Sequence, residues 1–310
     1  MENNLNYNWE IPKGESRELI ERYGEYVNDL CSRGEQPIPY KQWKIAYYNG
    51  MSDISTTILE KGKTKRKKQK SKNEIYENLG SFYFCHYKEL LKKGIEKQYL
   101  GRFIYLCTFL DFDDNYIHYG NSGKDLATEK DLKEILNLKD TIFKETKKAL
   151  IEYELITINE DKTITINKKY CKKGEIKSKK KLRESVRMIE KSIKELYEKA
   201  KPTEHIYLGL LVQLLPYVNY QHNIICENPN ETEPTKVKPL TLRQLAIKLG
   251  YKNSTDCKKD LLKLKLNGEN VAMIAETDTL KRGVVINPYV YYKGDNIESL
   301  RGIINIFKIK

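Results

Sequence analysis

Two short stretches of this chain carry the side chains best suited to binding a polyanion. In the first, Lys139, Thr141, Lys144, Lys147 and Lys148 fall at and beyond the start of a predicted helix. In the second, Lys252, Asn253, Ser254, Thr255, Lys258 and Lys259 do the same. Lysine ammonium groups bind phosphate as point charges, and short polar side chains at a helix start can reach base edges. Lys162 in the first copy, and Lys281 with Arg282 in the second, sit in turns between alternating apolar runs, placed for backbone or minor-groove contact. Residues 61–72 hold eight basic side chains in twelve, with Lys65, Arg66, Lys67 and Lys68 at the centre. Like charges repel, so this run is expected to be an extended basic linker that can lie along phosphates. Any one of these lysines is ordinary solubilising surface; the matched set is what points to phosphate. Glu145, Asp256 and Asp260 lower the local charge, and the near absence of arginine argues against guanine readout.

Other chemistries lack their parts. Asp111, Asp113 and Asp114 cluster in a predicted turn, but no second carboxylate group accompanies them at nuclease spacing. Six cysteines are scattered without a C-x-x-C spacing, and the four histidines pair with none of them at ligand spacing. The cysteines are therefore expected as small core hydrophobes in a reducing cytoplasm, with no metal. No phosphate-binding glycine loop, nucleophile–base arrangement or pair of nicking histidines is present. The expectation is a non-enzymatic protein without a cofactor. No apolar run reaches the roughly 18 residues of a membrane span, so a membrane partner is not expected. A net charge of +13 over 310 residues fits a polyanionic partner.

These side chains must be positioned by helices and hairpins. Glu15 to Leu30 reads as a helix with Leu19, Ile20, Tyr23, Tyr26, Val27 and Leu30 on one face, and Gln42 to Tyr48 as a second. So small a unit is expected to cover its two tryptophans only by docking on something else. Phe82 to Leu91 is ambiguous between strand and helix, and Tyr99 to Leu110 has a wide apolar helical face. A strand at Tyr116 to Tyr119 follows, then two helices from Thr128, then alternating runs at 155–158 and 163–166 that make a hairpin. Thr128, Thr141, Thr241 and Ser254 are candidate caps, and Asn137 and Gly250 suit left-handed backbone after the first helix of each pair. Leu182, Val186, Ile189, Ile193 and Leu196 predict a connecting helix with an apolar stripe, a candidate for self-association, as is the N-terminal region.

The pattern occurs twice. Tyr99-Leu-Gly101 matches Tyr207-Leu-Gly209, Asn115 matches Asn223, and Ile117 matches Ile225, all 108 residues apart. Thr128, Leu132 and Leu136 match Thr241, Leu245 and Leu249 at 113, and each copy ends in a Lys-Gly-acid tripeptide. Slippage falls only where loops belong, which is how a duplicated unit reads. The expected fold is α+β, mainly α: two tandem winged helix-turn-helix domains joined by a helix. The expected segments are a helical region at 1–60, a linker at 61–79, domains at 80–176 and 203–310, and a connecting helix at 177–202.

This arrangement, with Ile286-Asn-Pro-Tyr-Val-Tyr-Tyr-Lys-Gly294 after the second hairpin, resembles DNA-binding proteins of plasmids and phages from low-GC Gram-positive bacteria. The resemblance covers about residues 80–297. It implies a double-stranded DNA partner and a replication initiator reading repeated sites, the tandem order suiting direct repeats. Alternatives are a dimeric transcriptional regulator with MarR-type domains, or a winged-helix module that binds protein.

Overall fold

The computed structural model describes residues 15–48, 77, 79–120, 125–178, 181–182, 184–275, 283–295 and 297–308. The chain forms two compact units, residues 1–72 and 73–310.

In the first unit Ser16 caps α1 (Arg17–Ser32), its hydroxyl accepting from the Leu19 amide at 3.4 Å. A second helix, α2, spans Tyr40–Tyr48. Leu19, Tyr23 and Leu30 recur at helical spacing and are buried. Trp43 is only 2% exposed, its ring 5.2 Å from Tyr23 and stacked 5.0 Å from Tyr47. The expectation that tryptophan needs an outside partner is therefore corrected for Trp43, because the helix pair supplies its own aromatic cover. Trp9 and the basic linker, Lys65, Arg66, Lys67 and Lys68 included, lie outside the described residues.

The second unit opens with β1 (Phe82–Cys85), α3 (Tyr87–Leu91) and α4 (Lys97–Leu106), which ends in a 3-10 turn at Cys107–Phe109. Short strands β2 (His118–Tyr119) and β3 (Asp125–Leu126) pair with each other. Helices α5 (Glu129–Leu136) and α6 (Asp140–Glu152) follow, then the hairpin β4 (Ile156–Ile158) and β5 (Ile164–Ile166), and β6 (Cys171–Lys172).

The order then recurs. It runs through β7 (Val186–Ile189), α7 (Glu190–Lys199), α8 (His205–Leu214) and a 3-10 turn at Leu215–Tyr217. Next come α9 (Leu242–Lys248) and α10 (Ser254–Leu261), then the small hairpin β8 (Lys265–Leu266) with β9 (Glu269–Asn270). A longer hairpin, β10 (Ala272–Ala275) with β11 (Gly283–Ile286), and β12 (Tyr291–Tyr292) complete the copy. Helix α11 (Ile297–Lys308) closes the unit, burying Leu300, Ile303, Ile304 and Phe307 against Leu79, Ile189 and Val285.

The four strands that flank the two copies build one antiparallel sheet in the order β12-β7-β1-β6. This corrects the expected connecting helix at 177–202. Val186 to Ile189 is a strand, because it pairs along its whole length with β1, and the long helix of this segment runs over 190–199. Four of the five stripe residues expected there for self-association are spent inside the unit: Val186, Ile189, Ile193 and Leu196 are buried in its core, and Leu182 is half-buried. The halves are joined through this sheet and one continuous core running from Tyr83 to Tyr291, not through a helical tether. Cys85, Cys107, Cys171, Cys226 and Cys257 are buried free thiols, as small core hydrophobes should be, while Cys31 is exposed. Among the described residues no helix is long and apolar enough to cross a membrane.

Candidate nucleic-acid interface

Both helix pairs are built by the same local chemistry. The Thr128 amide donates to the Asp131 carboxylate at 2.7 Å, and the Thr241 amide to Gln244 Oε1 at 2.8 Å, closing a capping box at each first helix. Each first helix ends on left-handed backbone, at Asn137 (φ 48°) and Gly250 (φ 76°), a conformation these residue types accept more cheaply than others. Behind the pairs, Asn115 Nδ2 donates to the carbonyls of Ile166 and Cys171, and Asn223 Nδ2 to those of Ile286 and Tyr291. One buried amide per copy thus ties the segment before the helix pair to the strands after it.

The second helices present their lysines outward, because their apolar sides face in. On α6, Thr146, Ala149 and Leu150 are buried, and on α10 Cys257 and Leu261 are. Lys139, Lys144, Lys252, Lys258 and Lys259 are exposed and hold no ion pair among the described residues. Lys148 is exposed but lies 3.6 Å from Glu152, and Lys147 is paired with Glu129. That ammonium, hydrogen-bonded to the carboxylate, holds Glu129 below its ordinary value. The Glu129 amide donates to the Lys162 carbonyl at 3.1 Å, so the tip of the first hairpin rests on the start of α5. Lys162 itself is exposed at φ 67° and stands beside the Lys147–Glu129 pair. In the second copy Lys281 and Arg282 lie outside the described residues.

Two expected caps are corrected. Helix α6 starts at Asp140 with Lys139 as the cap residue, so Thr141 lies exposed within the first turn and caps nothing. Asp140, paired with Lys133, supplies the negative charge favoured at a helix start. In α10 Ser254 is the first helical residue and half-buried, and Asn253 is the cap. Its Oδ1 accepts from the Asp256 amide and its Nδ2 donates to the Asp256 carboxylate, both at 2.8 Å. That leaves Thr255 as the exposed short polar side chain at this helix start, with Asn253 engaged at home.

The acidic residues that lower the local charge are mostly occupied. Asp260 accepts from the Tyr251 hydroxyl at 2.8 Å, and Asp256 is taken by the cap. Asp114 holds His118 at 2.9 Å and Asp113 holds Lys172 at 3.1 Å, so this cluster is tied up in local pairs. Lys258 and Lys265 also line an open groove of about 470 Å³ between α10, the 265–270 hairpin and α11.

Sequence reading missed two buried cations, one of which braces α6. Arg102 on α4 is 5% exposed; its Nη1 donates to Thr146 Oγ1 on α6 at 2.8 Å and its Nη2 to the Pro202 carbonyl at 3.3 Å. Its Nε lies 3.4 Å from His205 Nδ1, and burial holds that imidazole down to about 4. The available signal was a single arginine inside the otherwise apolar face of 99–110. Lys293 is the other, buried with Nζ donating to the carbonyls of Leu215 and Val218 and to the Tyr87 hydroxyl. Comparisons of the chain with protein-family models, curated proteins and solved structures find no match to any of them.

Proposed function

We propose that each copy in the second unit is a winged helix and that the protein binds double-stranded DNA in a sequence-specific manner. Helices α6 and α10 enter the major groove, and the hairpins β4–β5 and β10–β11 are the wings. The observation that carries this reading is the matched presentation of unpaired lysines on two helices built by the same caps, turns and buried asparagines. A structural surface has no need to repeat that combination; a phosphate-binding one does. Lys139, Lys144, Lys148, Lys252, Lys258 and Lys259 grip phosphate, Lys162 with Lys281 and Arg282 contact the backbone beside each helix, and Thr141 and Thr255 approach base edges. The residues at 61–72 add a sequence-independent electrostatic arm. The biological role that fits the resemblance is replication initiation on a plasmid or phage, with transcriptional regulation as the second reading.

The test is a titration of labelled duplex DNA at several salt concentrations. Binding through roughly five to eight phosphates gives a log–log salt slope of about −4 to −7. A slope near zero contradicts the reading and favours a protein-binding module.

A further inference from the structure

We infer that the DNA site of this protein is an imperfect inverted repeat read by a single chain, because the two copies are related by a local two-fold axis. This rests on the DNA-binding reading above, and it replaces the direct repeats that tandem order suggests.

The axis follows from strand register. Phe84 pairs with Lys172 and Cys85 with Cys171 between β1 and β6. Arg187 pairs with Tyr292 and Met188 with Tyr291 between β7 and β12. Phe84 and Arg187 therefore hold equivalent places in the two copies, as do Cys85 and Met188. Between β1 and β7, Phe84 pairs with Arg187 itself, with Tyr83 opposite Met188 on one side and Cys85 opposite Val186 on the other. Equivalent positions facing each other across an antiparallel pair lie on a two-fold axis; no head-to-tail arrangement produces that.

A second contact, far from the sheet in sequence, repeats the relation. A Cβ on Gly101 would overlap the His205 carbonyl oxygen, and a Cβ on Gly209 would overlap the Lys97 carbonyl oxygen. Gly101 and Gly209 are 108 residues apart, and so are Lys97 and His205. Helices α4 and α8 thus make a self-complementary contact, residue i on j and j on i, as in the interface of a symmetric dimer. The cations after the hairpins cross over in the same sense. Lys173 pairs with Glu190 at the head of α7 at 2.9 Å, and Lys293 reaches Tyr87 at the head of α3.

A two-fold axis puts equivalent atoms at equal height along it and reverses direction across it. The two-fold relation reverses the polarity of α6 relative to α10, and antiparallel DNA strands match helices so related only as an inverted repeat. The half-sites are not identical. Helix α6 has 13 residues against 8 in α10, their starts read Asp140-Thr141 and Ser254-Thr255, and among the described residues only the second copy carries the β8–β9 hairpin.

The test is selection of bound duplexes from a random pool with the full-length protein, followed by the stoichiometry of the winning complex. The expected result is two different half-sites in inverted orientation, bound by one chain. Lys258→Glu with Lys259→Glu should then lose enrichment of one half-site and keep the other. A direct repeat, a lone half-site, or an inverted repeat bound by two chains overturns the inference while leaving DNA binding intact. No enriched motif together with salt-independent binding overturns the DNA-binding reading itself, and the inference with it.

Discussion

Lys173 and Lys293 follow the two hairpins at matching places, and each meets different chemistry across the molecule. Lys173 finds the Glu190 carboxylate, whereas Lys293 finds carbonyls, the Tyr87 hydroxyl and the face of the Tyr87 ring, 4.4 Å away. Burial without a counter-charge holds the Lys293 ammonium down to about 7. In the unfolded chain a lysine titrates near ~10.4. Its contribution to stability is therefore fully present above that value and is lost as pH falls through about 7, below which both states carry the proton. Wild type should gain stability relative to Lys293→Met as pH rises from 7 towards 10, in parallel urea titrations of the two proteins. A difference that does not change with pH would mean that Lys293 is solvated. At this scale the sequence exposes the cations of α6 and α10, because outward lysines follow helical periodicity. It hides Arg102 and Lys293, because their partners lie 44 to 206 residues away along the chain.

Elements were legible wherever local chemistry decides them. Both capping boxes and the two left-handed turns at Asn137 and Gly250 stand where their residue types predict. Thr241→Ala should cost about 1 kcal/mol by removing the box with Gln244, read as a lower denaturation midpoint; an unchanged midpoint would deny the cap any role. The strand at 186–189 was not legible, because its apolar spacing of three fits a helix until β1 arrives to pair with it. The crossing of α4 on α8 rests on absent side chains. Gly209→Ala drives a methyl group into backbone and should destabilise by about 1–3 kcal/mol or more. Gly302→Ala, on an exposed and open part of α11, should be neutral or stabilising by up to about 1 kcal/mol. Equal effects of the two substitutions in thermal unfolding would contradict the close helix contact.

At the scale of the second unit, duplication in sequence became a dyad in space. Repeat spacing could show that two copies exist but not how they face, since orientation is set by the β1–β7 register and by one glycine contact per copy. A shared sheet and core also mean that neither copy buries its apolar surface alone. Hydrogen exchange should accordingly show α4 and α8 opening together under native conditions. Exchange of one while the other stays protected would mean two independent domains. The central claim is that α6 and α10 are equivalent DNA-facing helices in one reader. The most direct measurement compares two charge reversals, Lys144→Glu with Lys148→Glu and Lys258→Glu with Lys259→Glu, by salt-dependent anisotropy on the selected duplex. Each pair should weaken binding on the order of ten-fold or more and shorten the salt slope by about two. Unchanged affinity and slope for either pair would remove that helix from the DNA and contradict the account.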